Sequence, residues 1–85
     1  MRVALASALR SYTGEREHVT ASGATVAALL RDLDASYPGI RFRIVDEQDR
    51  IRVHIRIFVN RELASLQHTL RAGDEVQILC ALSGG

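Results

Sequence analysis

Eighty-five residues with a formal net charge of +1, nearly half of them apolar, describe one compact domain and exclude a disordered or low-complexity chain. The mixed charge gives no electrostatic case for nucleic acid or a membrane surface, and no apolar run is long enough to span a bilayer. Cys80 is the sole cysteine, so no internal disulfide can form, and Met1-Arg2-Val3-Ala4-Leu5 lacks the long apolar stretch of a signal peptide; a reducing, cytoplasmic setting is expected.

In chain order, residues 2–9 place Val3 and Leu5 on one face of a strand. Arg10 to Arg16, with Gly14 inside it, predicts a turn, and residues 16–20 a second strand that completes an N-terminal hairpin. Val26, Leu29, Leu30, Leu33 and Tyr37 then recur at i, i+3, i+4, i+7 and i+11, the stripe of an amphipathic helix. Thr25 or Ser22 can cap its start with a side-chain oxygen, and Pro38-Gly39 stops it.

Ile40, Phe42, Ile44 and Val45 predict a partly buried segment, followed by a solvated turn at Asp46–Arg50. From Arg52 onward, Val53, Ile55, Ile57 and Val59 alternate with His54, Arg56 and Phe58, the pattern of a half-buried strand. Asn60-Arg61 reads as a tight turn, residues 63–66 as a short strand or coil, and Ala72-Gly73-Asp74 as another turn. Val76 to Leu79 form the last strand, and Cys80-Ala81-Leu82-Ser83-Gly84-Gly85 follow. One amphipathic helix and half-buried strands predict an α+β domain, in which a sheet of four to five strands has one face covered by the helix. The first and last strands are expected side by side in the middle. The domain is taken as residues 1–82 and the tail as residues 83–85.

Conventional active-site patterns are missing from the sequence. His18, His54 and His68 are isolated and read as surface residues, with no Cys-x-x-Cys, His-x-x-x-His or glycine-rich phosphate loop. Asp46, Glu47 and Asp49 lack the glycine and distal glutamate of a calcium loop and read as the solvated turn. Cys80 reads as a small apolar residue at a strand end, with a persulfide or disulfide as the weaker alternative. All eleven basic residues are arginine, so no side-chain amine can accept an isopeptide bond, although the chain can still be a donor.

The tail is the unusual feature. Glycines without a Cβ can thread a narrow channel in a partner, and from Leu82 to Gly85 the extended chain reaches about 13 Å, at about 3.3 Å per residue. That is long enough to deliver the Gly85 carboxylate into a pocket while the domain docks outside, with Ser83 and Gly84 threading.

Several segments together resemble the ThiS/MoaD-type sulfur carrier proteins, which share the β-grasp fold of ubiquitin. They are Thr25-Val26 with Leu29-Leu30, Tyr37-Pro38-Gly39, Phe58-Val59-Asn60, Leu70 with Gly73-Asp74-Glu75-Val76, and the final Gly84-Gly85. The resemblance covers essentially the whole chain. It departs at Cys80, where the family often has proline, and in the longer stretch from Pro38 to Ile57, which looks more like the carriers feeding synthesis of cysteine or other sulfur metabolites. The resemblance implies a carrier protein and not an enzyme. An E1-like adenylyltransferase would use ATP to activate Gly85, a sulfur source would convert it to a thiocarboxylate, and a downstream acceptor enzyme would receive the sulfur. It implies no permanently bound cofactor and no metal. A small subunit of molybdopterin synthase and a ubiquitin-like protein modifier are the alternatives.

A docking surface is also expected. If Val53, Ile55, Ile57 and Val59 face the helix, Phe58 faces outward; if Val76 and Ile78 face in, Leu79 faces out. On neighbouring strands Phe58 and Leu79 would form one exposed apolar patch for a partner, with Leu82 continuing it.

Overall fold

The computed structural model describes residues 1–81. Its strands are β1 (Arg2–Leu5), β2 (His18–Thr20), β3 (Ile55–Val59), β4 (Glu62–Leu63) and β5 (Glu75–Cys80), in the sheet order β2-β1-β5-β3-β4. β1 and β5 are parallel at the centre, in register from Arg2 opposite Glu75 to Leu5 opposite Ile78, and every other pairing is antiparallel. Helices α1 (Val26–Ser36) and α2 (Ile40–Ile44), with a 3-10 helix at Ser7–Thr13, pack their apolar residues into one core with the sheet. This is the β-grasp arrangement expected from the resemblance, and the sheet has five strands. No helix among the described residues is long and apolar enough to cross a membrane.

Period-2 alternation in the strands meets period-3.6 alternation in the helix. Val3, Ile57, Val76 and Ile78 are buried beneath Val26, Leu29, Leu30 and Leu33 of α1, all four of which are fully buried. Thr25 is the cap, its Oγ1 accepting from the Ala28 N–H at 3.2 Å. The two preceding free N–H groups are met from outside the helix, since Val26 donates to the His68 carbonyl at 3.1 Å and Ala27 to the Leu66 carbonyl at 2.9 Å. The segment between β4 and β5 therefore serves as an extension of the cap. Tyr37 is the C-cap, half-buried against the core, and Gly39 follows with φ 98°.

Three local expectations are corrected. β1 ends at Leu5, not residue 9, and the chain turns into the 3-10 helix that buries Leu9; the turn itself is tightened to Gly14-Glu15, with φ 64° and 69°. β3 begins at Ile55, not Arg52, and Val53 is 75% exposed. The reason is hydrogen bonding: Arg52 donates its N–H to the Ile44 carbonyl at 3.0 Å and accepts from the Ile55 N–H at 2.9 Å, so the backbone of Arg52 is tied to α2 and to a turn, not to the sheet. Phe42, expected to be partly buried, is 56% exposed, because Ile40 and Ile44 take the core side of the single-turn α2.

The Asn60-Arg61 turn is present, with φ 51° and 71°, the left-handed pair suited to a two-residue hairpin between β3 and β4. Asn60 also clasps the start of β5. Its Nδ2 donates to Asp74 Oδ1 at 2.9 Å, its Oδ1 accepts from the Glu75 N–H at 3.0 Å, and Asp74 Oδ2 accepts from the Arg71 N–H at 2.8 Å. The Arg71 N–H first, and the Asn60 amide second, hold the Asp74 carboxyl below its ordinary range.

Leu30→Ala should cost about 2–5 kcal/mol in urea unfolding, the range for truncating a fully buried leucine; a loss under about 1 kcal/mol would show that the stripe is not the core. Asp74 binds its proton more weakly in the folded state, so its contribution is complete above the unfolded carboxyl range near about 3.9 and fades as pH falls through the lower folded value. Asp74→Asn should accordingly lose less stability than the parent protein between about pH 5 and pH 3. Equal losses in melting experiments at the two pH values would contradict the clasp.

Candidate functional site

β5 leads from the sheet centre toward the tail. Its end is held on β3, where Ile55 stands opposite Cys80, and one residue later the Ala81 N–H donates to the His54 carbonyl at 2.7 Å. Ala81, the last described residue, is therefore tied by a backbone bond to the residue just before β3. Gly85, Gly84, Ser83 and Leu82, the residues expected to carry the chemistry, thread and dock, lie outside the described residues.

The outer sheet face carries the expected apolar residues and one more. Phe58 is half-buried and Leu79 is 41% exposed. They are diagonal neighbours and not direct partners, since Phe58 stands opposite Gln77 and Leu79 opposite Arg56. Diagonal positions lie about 7–8 Å apart, within reach of an aromatic ring. Leu63, directly opposite Phe58 on β4, is 66% exposed and extends the patch to the sheet edge. Its role was missed in the sequence because residues 63–66 contain too few positions to reveal a register; only the Phe58 pairing assigns Leu63 to the outer face.

On the covered side, the 3-10 helix, α2 and the start of β3 enclose an open cleft of about 380 Å³ reaching Cys80. Leu9 and Ile55 are its buried apolar lining, and Arg43, Arg52 and His54 stand around it. Arg52 is clipped in place, its Nε donating to the Phe42 carbonyl at 2.7 Å and its guanidinium carbon 4.6 Å from the Phe42 ring centre. Cys80 is a free thiol, half-buried against the core, as its reading as a small apolar strand-end residue expects.

The remaining candidates do not converge. His18, His54 and His68 are all exposed, on three different segments. Among the described residues no group of three or more His, Cys, Asp or Glu side chains is placed to hold a metal ion. The acidic turn is a turn: Asp46 Oδ1 accepts from the Gln48 and Arg50 N–H groups at 2.9 and 3.0 Å, and Asp49 pairs with Arg41 at 2.7 Å. The Arg50 N–H, more than any other influence, lowers the Asp46 carboxyl. The described residues thus present an apolar outer patch and a cleft beside Cys80.

The family model for the ThiS family matches residues 3–85. The sulfur carrier protein CysO of Mycobacterium tuberculosis strain H37Rv is 37% identical over 89 residues, spanning 98% of this chain and 96% of that protein. Among solved structures, a chain of the BexX/CysO complex of Amycolatopsis orientalis superposes with a TM-score of 0.91 at 33% identity, covering 99% of this chain and 98% of that one. The SAMP1 protein of Haloferax volcanii superposes with a TM-score of 0.81 at 31% identity, covering 100% and 98% respectively.

The two sides of β5 should respond differently to substitution. Leu79→Glu, on the outer face, should change the unfolding free energy by no more than about 0.5 kcal/mol. Ile78→Ala, one residue earlier and fully buried, should cost about 2–5 kcal/mol. Comparable losses measured by urea denaturation would mean that Leu79 is not free to receive a partner.

Proposed function

The chain belongs to the ThiS family, and from that premise we propose that it is a sulfur carrier whose Gly85 carboxylate is adenylated and converted to a thiocarboxylate. The observation that carries the reading is full-length similarity to sulfur carrier proteins named CysO, with the family match running through Gly84-Gly85. The fold supports it by placing the strand that leads to the tail at the sheet centre, where both neighbours hold it.

The chemistry follows from the carboxylate. With an ordinary pKa near about 3.5 it is ionised at neutral pH and a poor electrophile. An E1-like enzyme would transfer adenylate from ATP to it, releasing pyrophosphate. A hydrosulfide would then attack the acyl carbon and expel AMP, leaving the thiocarboxylate. A persulfide donor would leave an acyl disulfide that a thiol reduces to the same product. A second enzyme, with its own catalytic groups, would accept the sulfur into cysteine, a cofactor or another sulfur metabolite. The carrier's contribution is position: the domain docks through Phe58, Leu79 and Leu82, with Leu63 beside them, while Ser83 and Gly84 thread the partner.

The similarity to SAMP1, part of whose group carries the name small archaeal modifier protein, favours one second reading, a protein modifier that acylates amines through Gly85. Because the chain has no lysine, such conjugates could not be extended through a side chain of the carrier itself.

Incubation with the activating enzyme, ATP and a sulfur source should add about 16 Da to the C-terminal peptide, the exchange of one oxygen for sulfur. Deleting Gly84-Gly85 should abolish that gain and leave the melting temperature nearly unchanged, because a chain end beyond the last strand contributes little to stability. Lysine-linked adducts without any mass gain on the free carrier would overturn the sulfur-carrier reading in favour of the modifier.

A further inference from the structure

The outer patch accounts for one side of β5. The covered side carries the cleft that ends at Cys80, and three observations define what fits it. Leu9 and Ile55 are 2% and 5% exposed, so the interior of the cleft is apolar. Arg43, Arg52 and His54 surround it, and among the described residues no carboxylate lines it and neither arginine is ion-paired. The Ala81–His54 bond places Ala81, the last described residue, beside a residue of the cleft lining.

We propose that this cleft is a second docking pocket, which receives an apolar side chain flanked by a carboxylate on the enzyme that takes up the tail. The match is one of charge and shape. An apolar residue would be buried on Leu9 and Ile55, and a neighbouring Asp or Glu would complete the charge of Arg43. Arg52 is fixed by Phe42 and would be presented without further ordering. An acidic partner also gains in encounter rate from the positive charge of Arg43. The assignment of the partner as a tail-processing enzyme rests on the sulfur-carrier reading; the chemistry of the pocket does not.

The test uses the full chain, labelled with nitrogen-15 and titrated at neutral pH with an acetylated, amidated peptide of alternating aspartate and leucine. A peptide of alternating arginine and leucine serves as the comparison. Amide shifts at Leu9, Arg43, His54 and Cys80 with the acidic peptide alone, lost in Arg43→Glu and in Ala8→Glu, are the expected result. Ala8 is an exposed lining residue whose substitution removes no interaction of Arg52, so the second variant guards against misfolding of the first. Equal shifts with the basic peptide, shifts elsewhere, or unaltered shifts in both variants would overturn the pocket. With the activating enzyme present, Arg43→Glu should raise KM for the carrier by about tenfold with kcat retained; an unchanged KM counts against it. A parent protein that gains no sulfur mass would remove the sulfur-carrier reading, and the peptide titration would still decide the pocket.

Discussion

The parallel pairing of β1 with β5 is the constraint on which the rest of the structure depends. Parallel neighbours cannot be joined by a tight turn, so the chain must cross from one to the other through everything in between. β1 already pairs with β2, leaving its other edge for β5, while the intervening segment supplies α1, α2 and the β3–β4 hairpin. The register is set by burial. Val3 and Leu5 stand beside Val76 and Ile78 under α1, and a slip of β5 by one residue would turn Val76 and Ile78 to solvent. As a consequence, the last strand is also a central one, flanked on both sides, and the chain leaves from the most firmly held part of the sheet.

Much of this was legible in the sequence, for definite reasons. The α1 stripe repeats over three turns, and only one face can be buried when Val26, Leu29, Leu30 and Leu33 are the apolar set. The order of strands followed from where the apolar runs and turn residues fell. What failed was short-range pattern without its hydrogen bonds. Val53 continues the alternation of Ile55, Ile57 and Val59, yet the backbone at Arg52 is taken by Ile44, so the pattern outruns the strand. Ile40, Phe42 and Ile44 also alternate. On a helix, residues two apart do not share a face whereas residues four apart do, and the two isoleucines win the core. Leu63 could not be assigned to a face until its register with Phe58 was known.

The candidate site was legible in a different way. Two groups among the residues that carried the resemblance differ in kind. Asn60 and the Gly73-Asp74-Glu75 segment, far apart in sequence, meet in one hydrogen-bonded clasp, so their pairing has a structural explanation: it holds the hairpin turn against the start of β5. The final glycines lie outside the described residues, and in the proposed role their meaning rests on chemistry in a partner. The Cys80 cleft could not be read from sequence at all, because Leu9, Arg43 and His54 come from three segments that only the fold brings together.

A strand gives its two faces alternate residues, and at the end of β5 the proposed partner contacts divide between them. Leu79 points to the open face with Phe58 and Leu63; Cys80, the next residue, points to the cleft with Arg43 and His54. An enzyme that gripped only the open face would hold the domain by an apolar patch, which fixes position poorly because apolar contact is not directional. Charge on the opposite side of the same strand supplies direction, since a carboxylate can satisfy Arg43 in few orientations. In the proposed role the reacting carboxylate is delivered at the end of a short chain, so an error in the angle of the domain is carried to the chain end. Two unlike contacts straddling the exit would restrain that angle where one could not.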